Sequence, residues 1–443
     1  MKKIHILALL TALILLTAGT NLMAAEKSNA QIYFDNLLQG DYDKCFAMST
    51  TEMQEAMSAE LLRETWESVP KQVGEFIEVI QTTTEQRDPF TVYTFAVDFD
   101  KMVLDVLVTQ DENGSVAGLL FRPSSVAKPG VKIELPEYLK AENIVEQDYT
   151  FELEGLNLNG KLTLPSREGS FPLVLMLSGS GPNDMDETVG ARKPFRDLAY
   201  GLARQGIASL RWTKRTRDYP ESLGDLKYFT VRDEYLPEVN AALTALEKIP
   251  HFIADGYYLL GHSLGGFILP MAASELKEIT GFIMLAGNAR PLEDLVLEQY
   301  TYIYGLEEMT PEIQETLDTI KSQVNDVKYL DEEKPAPENL LMGLSKAYWL
   351  SLNQYDQVET FSKTQQPFLI LQGEKDYQVT MEDFKLWTQA SEVQKNAELR
   401  SYPDLDHLFM HIEGMSTPGS YMAQAFVAEQ VIHDIADWIR RKE

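Results

Sequence analysis

The stretch Gly261-His262-Ser263-Leu264-Gly265 has the residue types and spacing of a nucleophilic serine. It follows the apolar run Tyr257–Leu260 and precedes a small, apolar helical pattern over residues 266–274. In such a strand-to-helix turn the serine takes a strained backbone conformation, and bulky residues two positions away would clash. The pattern therefore predicts that Ser263 Oγ projects from a sheet to attack a carbonyl carbon.

A serine hydroxyl is a poor nucleophile without a base, and His407 is the predicted base. It follows the strand pattern Ala397–Ser401, in a loop at the end of a sheet where catalytic groups are commonly placed. The other histidines fit less well: His251 precedes the elbow strand, His262 points away from Ser263 inside the elbow, His411 has helical neighbours, and His433 belongs to an amphipathic helix over Phe426–Arg440.

A metal site is the competing interpretation of His407 and His411, whose i, i+4 spacing suits two ligands on one helix. No third ligand accompanies them, and no glutamate lies between them. We therefore expect no metal ion, and the proposed chemistry requires no organic cofactor.

The base needs a carboxylate that holds its tautomer, and Asp376 is the predicted one. It lies in the loop after the strand Phe368–Leu371, one strand before His407, with Glu374 as its nearest competitor. Asp404 and Asp406 are too close in sequence to reach the ring edge and are expected to cap their loop. The order Ser263, Asp376, His407 is that of the α/β-hydrolase triad.

Backbone N–H groups must receive the negative charge that develops on the attacked carbonyl oxygen. Leu264, directly after the nucleophile, supplies the first predicted donor. The second is expected from the loop Ser178–Asp184, at Ser180, with Gly179 as the alternative. This loop lacks the spacing of a phosphate-binding loop.

The elements around these residues alternate between strand and helix from about residue 147 to 443, which predicts an α/β domain with a mostly parallel sheet and helices on both faces. Residues 290–365 interrupt this alternation with helical patterns only, and we expect them to form a cap. The predicted strands and helices are 149–153, 160–164, 172–177, 195–205, 207–211, 234–248, 257–260, 281–285, 368–371 and 397–401.

A separate small α+β domain is predicted over residues 28–123, joined by a linker over residues 124–146. Helical spacing covers Ala30–Leu38 and Glu52–Trp66, and three strands follow over residues 90–100, 102–109 and 116–122. The turn Asp111–Gly114 suits an antiparallel hairpin. No cluster of reactive residues stands out in this domain.

Residues 1–25 have the pattern of a signal peptide, with Lys2 and Lys3, a 13-residue core over Ile4–Leu16, and small residues before Glu26. No cysteine lies near the cleavage point, so we expect an extracytoplasmic protein without a lipid anchor or a stable membrane segment. The only cysteine, Cys45, is expected in a core. The net charge of −29 argues against binding to nucleic acid.

Residues 147–443 resemble the α/β-hydrolase superfamily, and in particular its secreted bacterial carboxylesterases with a small preceding domain. The resemblance rests on Ser178–Asp184, Gly261–Gly266, Gly373–Asp376 and Asp406-His407. It implies a Ser263–Asp376–His407 triad and activity on short-chain esters. Ser178 stands where the family commonly has histidine. Residues 28–123 are similar to a cone-shaped α+β domain of unknown function, which leaves an unidentified partner as its open role.

Three other functions remain open on the sequence alone. A serine peptidase or an acyltransferase could use the same catalytic residues. A binding protein with a vestigial triad would retain the fold without the activity, although all three triad residue types are present.

Overall fold

The computed structural model describes residues 27–442, except for positions 88, 125, 127, 131–133, 143, 167, 168, 220–227, 250, 251 and 338. The predicted signal segment and His251 lie outside the described residues. Backbone proximity divides the chain into two compact units, Met1–Arg122 and Pro123–Glu443. Among the described residues, no helix combines the length and the apolar character needed to cross a membrane.

The first unit has helices followed by a four-stranded sheet in the order β1-β2-β3-β4, in which β2 is antiparallel to β1 and to β3. Its elements are α1 (Asn29–Gln39), α2 (Tyr42–Met48), α3 (Thr51–Ala56), α4 (Ala59–Val73), β1 (Phe76–Arg87), β2 (Phe90–Phe99), β3 (Val103–Gln110) and β4 (Val116–Pro123).

Two features of this unit differ from the sequence prediction. The single helix expected over Glu52–Trp66 is divided, because the Ser58 side chain accepts a hydrogen bond from Leu61 N at 3.1 Å and starts α4 afresh. Strand β1 was not predicted. Most of its residues are exposed at an edge of the sheet, so the sequence shows no alternation between buried and exposed positions.

Cys45 lies in the core of the first unit, as its apolar neighbours predict. Its side chain is fully buried and Sγ lies 3.4 Å from the Tyr33 carbonyl oxygen. Burial raises the pKa of the Cys45 thiol to about 12, so the thiolate required for reactivity hardly forms at neutral pH.

The second unit is an α/β domain around an eight-stranded sheet. Its elements are β5 (Val145–Leu153), β6 (Leu156–Leu164), β7 (Gly169–Leu177), α5 (Pro194–Arg204), β8 (Ala208–Trp212), α6 (Arg215–Asp218), α7 (Val231–Leu246), β9 (Phe252–His262), α8 (Leu264–Phe267), α9 (Leu269–Glu275), β10 (Ile279–Leu285), α10 (Leu292–Tyr304), α11 (Pro311–Lys328), α12 (Lys346–Asn353), α13 (Gln357–Lys363), β11 (Phe368–Gly373), α14 (Met381–Gln394), β12 (Ala397–Tyr402) and α15 (Glu429–Arg440).

The strand order is β12-β11-β10-β9-β7-β8-β6-β5. Only β6 runs against its neighbours β5 and β8, and the other adjacent pairs are parallel. The carboxyl ends of β7, β9, β11 and β12 therefore lie at one edge of the sheet, and the loops after these strands carry all the predicted site residues.

Both faces of the sheet are covered, as the fold-class prediction requires. Side chains alternate along β7: Leu173 and Leu175 belong to the apolar cluster that includes α7 and α9, and Val174 and Met176 to the cluster that includes α5 and α15. Burial on both faces explains why the central strands read as continuous apolar runs.

The stretch between β4 and β5 is partly packed on the α/β domain. A short 3-10 helix over Glu137–Leu139 buries Leu139 completely in the cluster around α5. Tyr138 OH donates to the Val427 carbonyl oxygen at 2.8 Å. The whole stretch predicted as a linker falls within the second compact unit, and its second half packs on the helices of that unit.

The interval between β10 and β11 contains helices α10 to α13. Several of its aromatic side chains bond to the body of the domain: Tyr302 OH donates to Ser416 O at 3.0 Å, Tyr355 OH accepts from Met271 N at 2.9 Å, and Tyr348 OH bonds to Glu234. These rings hold the insertion to the sheet domain.

Candidate active site

Ser263 occupies a strained turn between β9 and α8. Its φ of 53° and ψ of −121° lie outside the regions that residues with side chains normally adopt. Ser263 N donates to the Leu285 carbonyl oxygen at 2.9 Å, which ties the turn to β10. The strand, the turn and the short helix occur in the order that the sequence predicts.

The two glycines of the motif are required by close backbone approach. A Cβ atom at Gly261 would lie 2.2 Å from the Gly265 carbonyl oxygen, and one at Gly265 would lie 2.4 Å from the Leu177 carbonyl oxygen. These atoms belong to helix α8 and strand β7, and neither can yield without moving its element. The turn can therefore be this tight only with glycine at both positions.

His407 and Asp376 form a buried pair. His407 Nδ1 lies 2.6 Å from Asp376 Oδ2, and the two residues are 4 % and 2 % exposed. The loops that carry them pack closely at Gly373, where a Cβ atom would lie 2.4 Å from the carbonyl oxygens of Leu405 and Asp406. The structure thus brings together the residue predicted as the base and the carboxylate predicted to orient it.

Hydrogen bonds fix the orientation of the Asp376 carboxylate. Oδ1 accepts from the backbone N–H groups of Gln378 at 2.7 Å and Val379 at 3.0 Å, and Oδ2 accepts from Gln372 Nε2 at 3.1 Å. Every contact is made by a donor, so the ionised carboxylate is the form that fits this site.

The competing carboxylates lie elsewhere. Glu374 Oε1 accepts from Ser401 Oγ at 2.8 Å, and Asp404 Oδ2 lies 2.6 Å from His411 Nδ1 at the surface. Asp406 is fully buried, forms an ion pair with Arg192, and accepts from two amides of its own loop, Leu408 N and Met410 N. Asp406 therefore shapes the loop that presents His407.

The helix that a His407–His411 metal pair would need is not present. Residues 407–411 form turns and isolated bridges, and His411 is exposed with Asp404 as its partner. Its helical neighbour pattern was misleading, because a helical spacing in sequence does not by itself produce a helix. No group of three or more potential ligand residues lies within the part of the chain that the structure describes.

Ser263 is half-buried, and His262, the residue before it, contacts the loop of His407. His262 Nε2 donates to the His407 carbonyl oxygen at 2.9 Å, and the two imidazole rings lie 4.6 Å apart. Ser263 Oγ makes no hydrogen bond to any residue in the described part of the chain. In serine hydrolases without substrate, the hydrogen bond between the serine Oγ and the histidine Nε2 is often long, and it tightens when substrate binds.

The backbone N–H groups of the two candidates for the second oxyanion donor have different partners. Gly179 N donates to Glu187 Oε1 at 2.5 Å and is not available to a substrate. Ser180 N has no acceptor among the described residues, and Leu264 N is the first amide of α8 and lacks an intrahelical acceptor. A Cβ atom at Gly179 would lie 3.1 Å from Ser263 Cβ, so this loop closely approaches the nucleophile.

Glu187 is a site residue that the sequence interpretation missed. It is 3 % exposed, and its Oε1 contacts both Gly179 N and His262 Nδ1, the latter at 2.9 Å. No periodic pattern points to Glu187. The available signal was His262, because a ring between two elbow glycines is buried and must find polar partners.

The charge of Glu187 alters the ionisation of His262. Burial by itself lowers the pKa of His262, but the adjacent Glu187 carboxylate and the His407 carbonyl oxygen outweigh it and raise the pKa above its ordinary value. A protonated ring can donate from both nitrogens, as these two contacts require. The charged pair thereby connects the oxyanion loop, the nucleophile turn and the His407 loop.

A parallel sheet with a single reversed strand near one end, and reactive loops after β7, β9, β11 and β12, defines an α/β-hydrolase. The chain is 32 % identical to Esterase EstD of Thermotoga maritima over 430 residues, which cover 97 % of this chain and 99 % of that protein. The chain belongs to the family of this esterase and is a carboxylic-ester hydrolase.

The chain is also similar to a protein family and to solved structures. Residues 30–119 match a family of proteins of unknown function, DUF3887. The chain is similar to Est1E from Butyrivibrio proteoclasticus, with 18 % identity, 67 % of this chain and 98 % of that one covered, and a TM-score of 0.43. It is also similar to the Pyrococcus furiosus esterase PF2001, with 16 % identity, 72 % of this chain and 97 % of that one covered, and a TM-score of 0.43. Such low scores carry no argument, and the family rests on the Thermotoga maritima relative.

Proposed function

We propose that this protein cleaves carboxylic esters of short acyl chains through a Ser263–His407–Asp376 triad and a covalent acyl-enzyme. The observation that carries the proposal is the 2.6 Å hydrogen bond between His407 Nδ1 and Asp376 Oδ2. This bond keeps a proton on Nδ1 and leaves Nε2 free to accept the proton of Ser263.

In the first step, His407 Nε2 takes the Ser263 hydroxyl proton while Oγ attacks the ester carbonyl carbon. The carbonyl oxygen becomes negative and is stabilised by the N–H groups of Leu264 and Ser180. When the intermediate collapses, the bond to the alcohol oxygen breaks and His407 Nε2 protonates that oxygen. The products are a free alcohol and acylated Ser263.

In the second step, water takes the place of the alcohol. His407 Nε2 accepts a proton from the water, whose oxygen attacks the acyl carbon. Collapse breaks the bond to Ser263 Oγ, which regains its proton from His407, and the carboxylic acid leaves. Asp376 stabilises the imidazolium that forms in both steps. No step requires a metal ion or an organic cofactor.

Replacement of the nucleophile tests the proposal. We expect Ser263→Ala to lose at least about 1,000-fold in kcat/KM on p-nitrophenyl acetate and to lose labelling by a fluorophosphonate. Ser274→Ala is a matched control, because its hydroxyl donates to the Met271 carbonyl oxygen on the exposed side of α9. Near-normal hydrolysis by Ser263→Ala would refute the triad.

The substrate range is tested with the full chain. A series of p-nitrophenyl esters from acetyl to palmitoyl should give the highest kcat/KM for the short acyl groups. Parallel assays on peptide amides, and product analysis with an added alcohol, test the peptidase and acyltransferase alternatives. A protein that fails to label and hydrolyses none of these substrates would be a binding protein.

We propose in addition that the protein is exported and cleaved between Ala25 and Glu26. The support is the basic start and short apolar core of residues 1–25. Amino-terminal sequencing of protein recovered from the producing cells should begin at Glu26. A mature chain that begins at Met1 would contradict cleavage.

A further inference from the structure

The peptide bond between Gly179 and Ser180 is anchored through its carbonyl oxygen, which accepts three hydrogen bonds. The Gly179 carbonyl oxygen accepts hydrogen bonds from Tyr235 OH at 2.9 Å and Lys214 Nζ at 3.0 Å. Asn183 Nδ2 adds a third donor at 3.1 Å. A carbonyl oxygen has two lone pairs, so this group is fully satisfied.

The donors reach this carbonyl from neighbouring elements. Lys214 follows β8, the strand beside β7 in the sheet, and Tyr235 lies in the second turn of α7. The two residues are 3 % and 2 % exposed, and Lys214 Nζ also lies 3.1 Å from Tyr235 OH. Two buried side chains, one from helix α7 and one from the segment after β8, therefore converge on one carbonyl of the oxyanion loop.

The same peptide unit contains the Ser180 N–H group. In a planar trans peptide, the C=O and N–H bonds point in opposite directions. Anchoring the Gly179 oxygen on Lys214 and Tyr235 consequently determines where Ser180 N–H points. Since Gly179 lies against Ser263, with a Cβ atom there only 3.1 Å from Ser263 Cβ, the free N–H is within the region of the nucleophile.

The charge of the donors adds to this geometric effect. Lys214 forms an ion pair with the buried Glu234, and Glu234 in turn bonds to Tyr348 OH on α12. Burial, reinforced by Glu234, holds the pKa of Tyr235 well above its ordinary value, so its hydroxyl keeps the proton that it donates. Donation to a carbonyl polarises the amide and strengthens the N–H of the same peptide as a donor.

We propose that Lys214 and Tyr235 are positioning residues for catalysis, which hold the Gly179 carbonyl so that Ser180 N–H is aimed and strengthened as the oxyanion donor. This proposal rests on the proposed serine mechanism. Neither side chain touches the substrate, and both act through the peptide that does. Glu187, which binds Gly179 N, anchors the preceding peptide in the same way.

The test uses Tyr235→Phe and Lys214→Met in the full-length protein. Because Lys214→Met leaves Glu234 buried without its cation, the double variant Lys214→Met/Glu234→Gln removes both charges and keeps the test valid if the single variant fails to fold. Tyr402→Phe is the matched control: this tyrosine is also buried, at 5 % exposed, and its hydroxyl bonds to Asp434 at 2.7 Å and not to the oxyanion loop.

Two quantities are measured: kcat/KM on p-nitrophenyl acetate, and the inhibition constant of phenylboronic acid. The boronic acid adds to the serine oxygen and forms a tetrahedral anion, so its affinity reports on the oxyanion donors. We expect each variant to lose about 10- to 100-fold in kcat/KM, less than removal of a direct donor, and to weaken boronic acid binding by a similar factor. Melting temperature and both parameters should be nearly normal for Tyr402→Phe.

Unchanged kcat/KM in folded Tyr235→Phe and in the folded double variant would overturn the positioning role. A loss of activity without weaker boronic acid binding would also overturn it, because the oxyanion donor would then be intact. Failure of the serine mechanism gives a different result: Ser263→Ala would bind phenylboronic acid as tightly as the unmodified protein.

Discussion

His262 Nε2 donates to the carbonyl oxygen of His407 at 2.9 Å, so the residue before the nucleophile holds the loop of the base. The other nitrogen of the same ring contacts Glu187, which binds the oxyanion loop. One buried ring thus sets the separation between three segments from distant parts of the chain, those of Gly179, Ser263 and His407.

Glu187→Gln should weaken this arrangement most at alkaline pH. The variant removes the negative charge that raises the pKa of His262, so the ring becomes neutral at a lower pH and loses one of its two donors. The carboxylate of Asp376 acts in the same direction and remains. We expect kcat/KM to fall about 10-fold below normal where His262 has lost its proton in the variant but keeps it in the unmodified protein, and the deficit to shrink at lower pH.

The measurement is the ratio of kcat/KM between variant and unmodified protein over pH 6 to 8.5. The sign follows from the raised pKa: interactions of protonated His262 are complete at low pH and are lost as pH rises through that pKa. A ratio that is constant with pH would indicate a purely structural role for Glu187.

Asp376→Asn should lower kcat by about 10,000-fold. Two backbone N–H groups face Oδ1, so the amide oxygen of asparagine occupies that position and the NH₂ group faces His407. His407 Nδ1 must then accept, which places the proton on Nε2 and disables the base. Glu374→Gln is the control, since Glu374 bonds to Ser401 instead. Equal losses in both variants would contradict this assignment.

Gly265→Ala should abolish activity and lower the melting temperature. The added methyl would lie 2.4 Å from Leu177 O and 2.8 Å from Ser178 O, which forces β7 away from the nucleophile turn. Displacement of reacting groups by about 1 Å costs roughly 100-fold in rate. Gly419→Ala, where the nearest atom is 3.8 Å away, should behave normally. Full activity of Gly265→Ala would show that the turn is far more plastic than its contacts indicate.

Asp197 provides a pH-dependent contribution to stability. Burial outweighs its contacts with Arg196 and Val427 N and raises the pKa of this carboxyl from 3.8 to about 6. The folded state therefore binds this proton more tightly than the unfolded chain, and the stabilisation present at low pH is lost as pH rises from about 4 to 6. A change of this size corresponds to roughly 3 kcal/mol.

Asp197→Asn removes this titration. Denaturant unfolding of both proteins at pH 4.5 and pH 8 should show the variant gaining stability relative to the unmodified protein at the higher pH, by up to about 3 kcal/mol. A difference in unfolding free energy that does not change with pH would show that Asp197 is ionised throughout.

Much of the sheet could be predicted from sequence, because strands buried on both faces are short apolar runs bounded by turn residues. The sequence also predicted that Ser263, Asp376 and His407 lie in loops that follow strands of this sheet. What could not be predicted are contacts between residues far apart in sequence, such as Arg192 with Asp406 or Lys214 with the Gly179 carbonyl oxygen. Exposed β1 was missed because solvent imposes no apolar pattern on it.

The position of His407 has a consequence for the chain while it is being translated. The nucleophile turn precedes this histidine by more than a hundred residues, and β12 is the last strand to leave the ribosome and lies at the edge of the sheet. A growing chain that already has its serine still lacks the base and the loop that His262 holds. On the proposed mechanism, reactivity toward esters arises only when the β12 segment docks, so a chain that ends before His407 should be chemically inert.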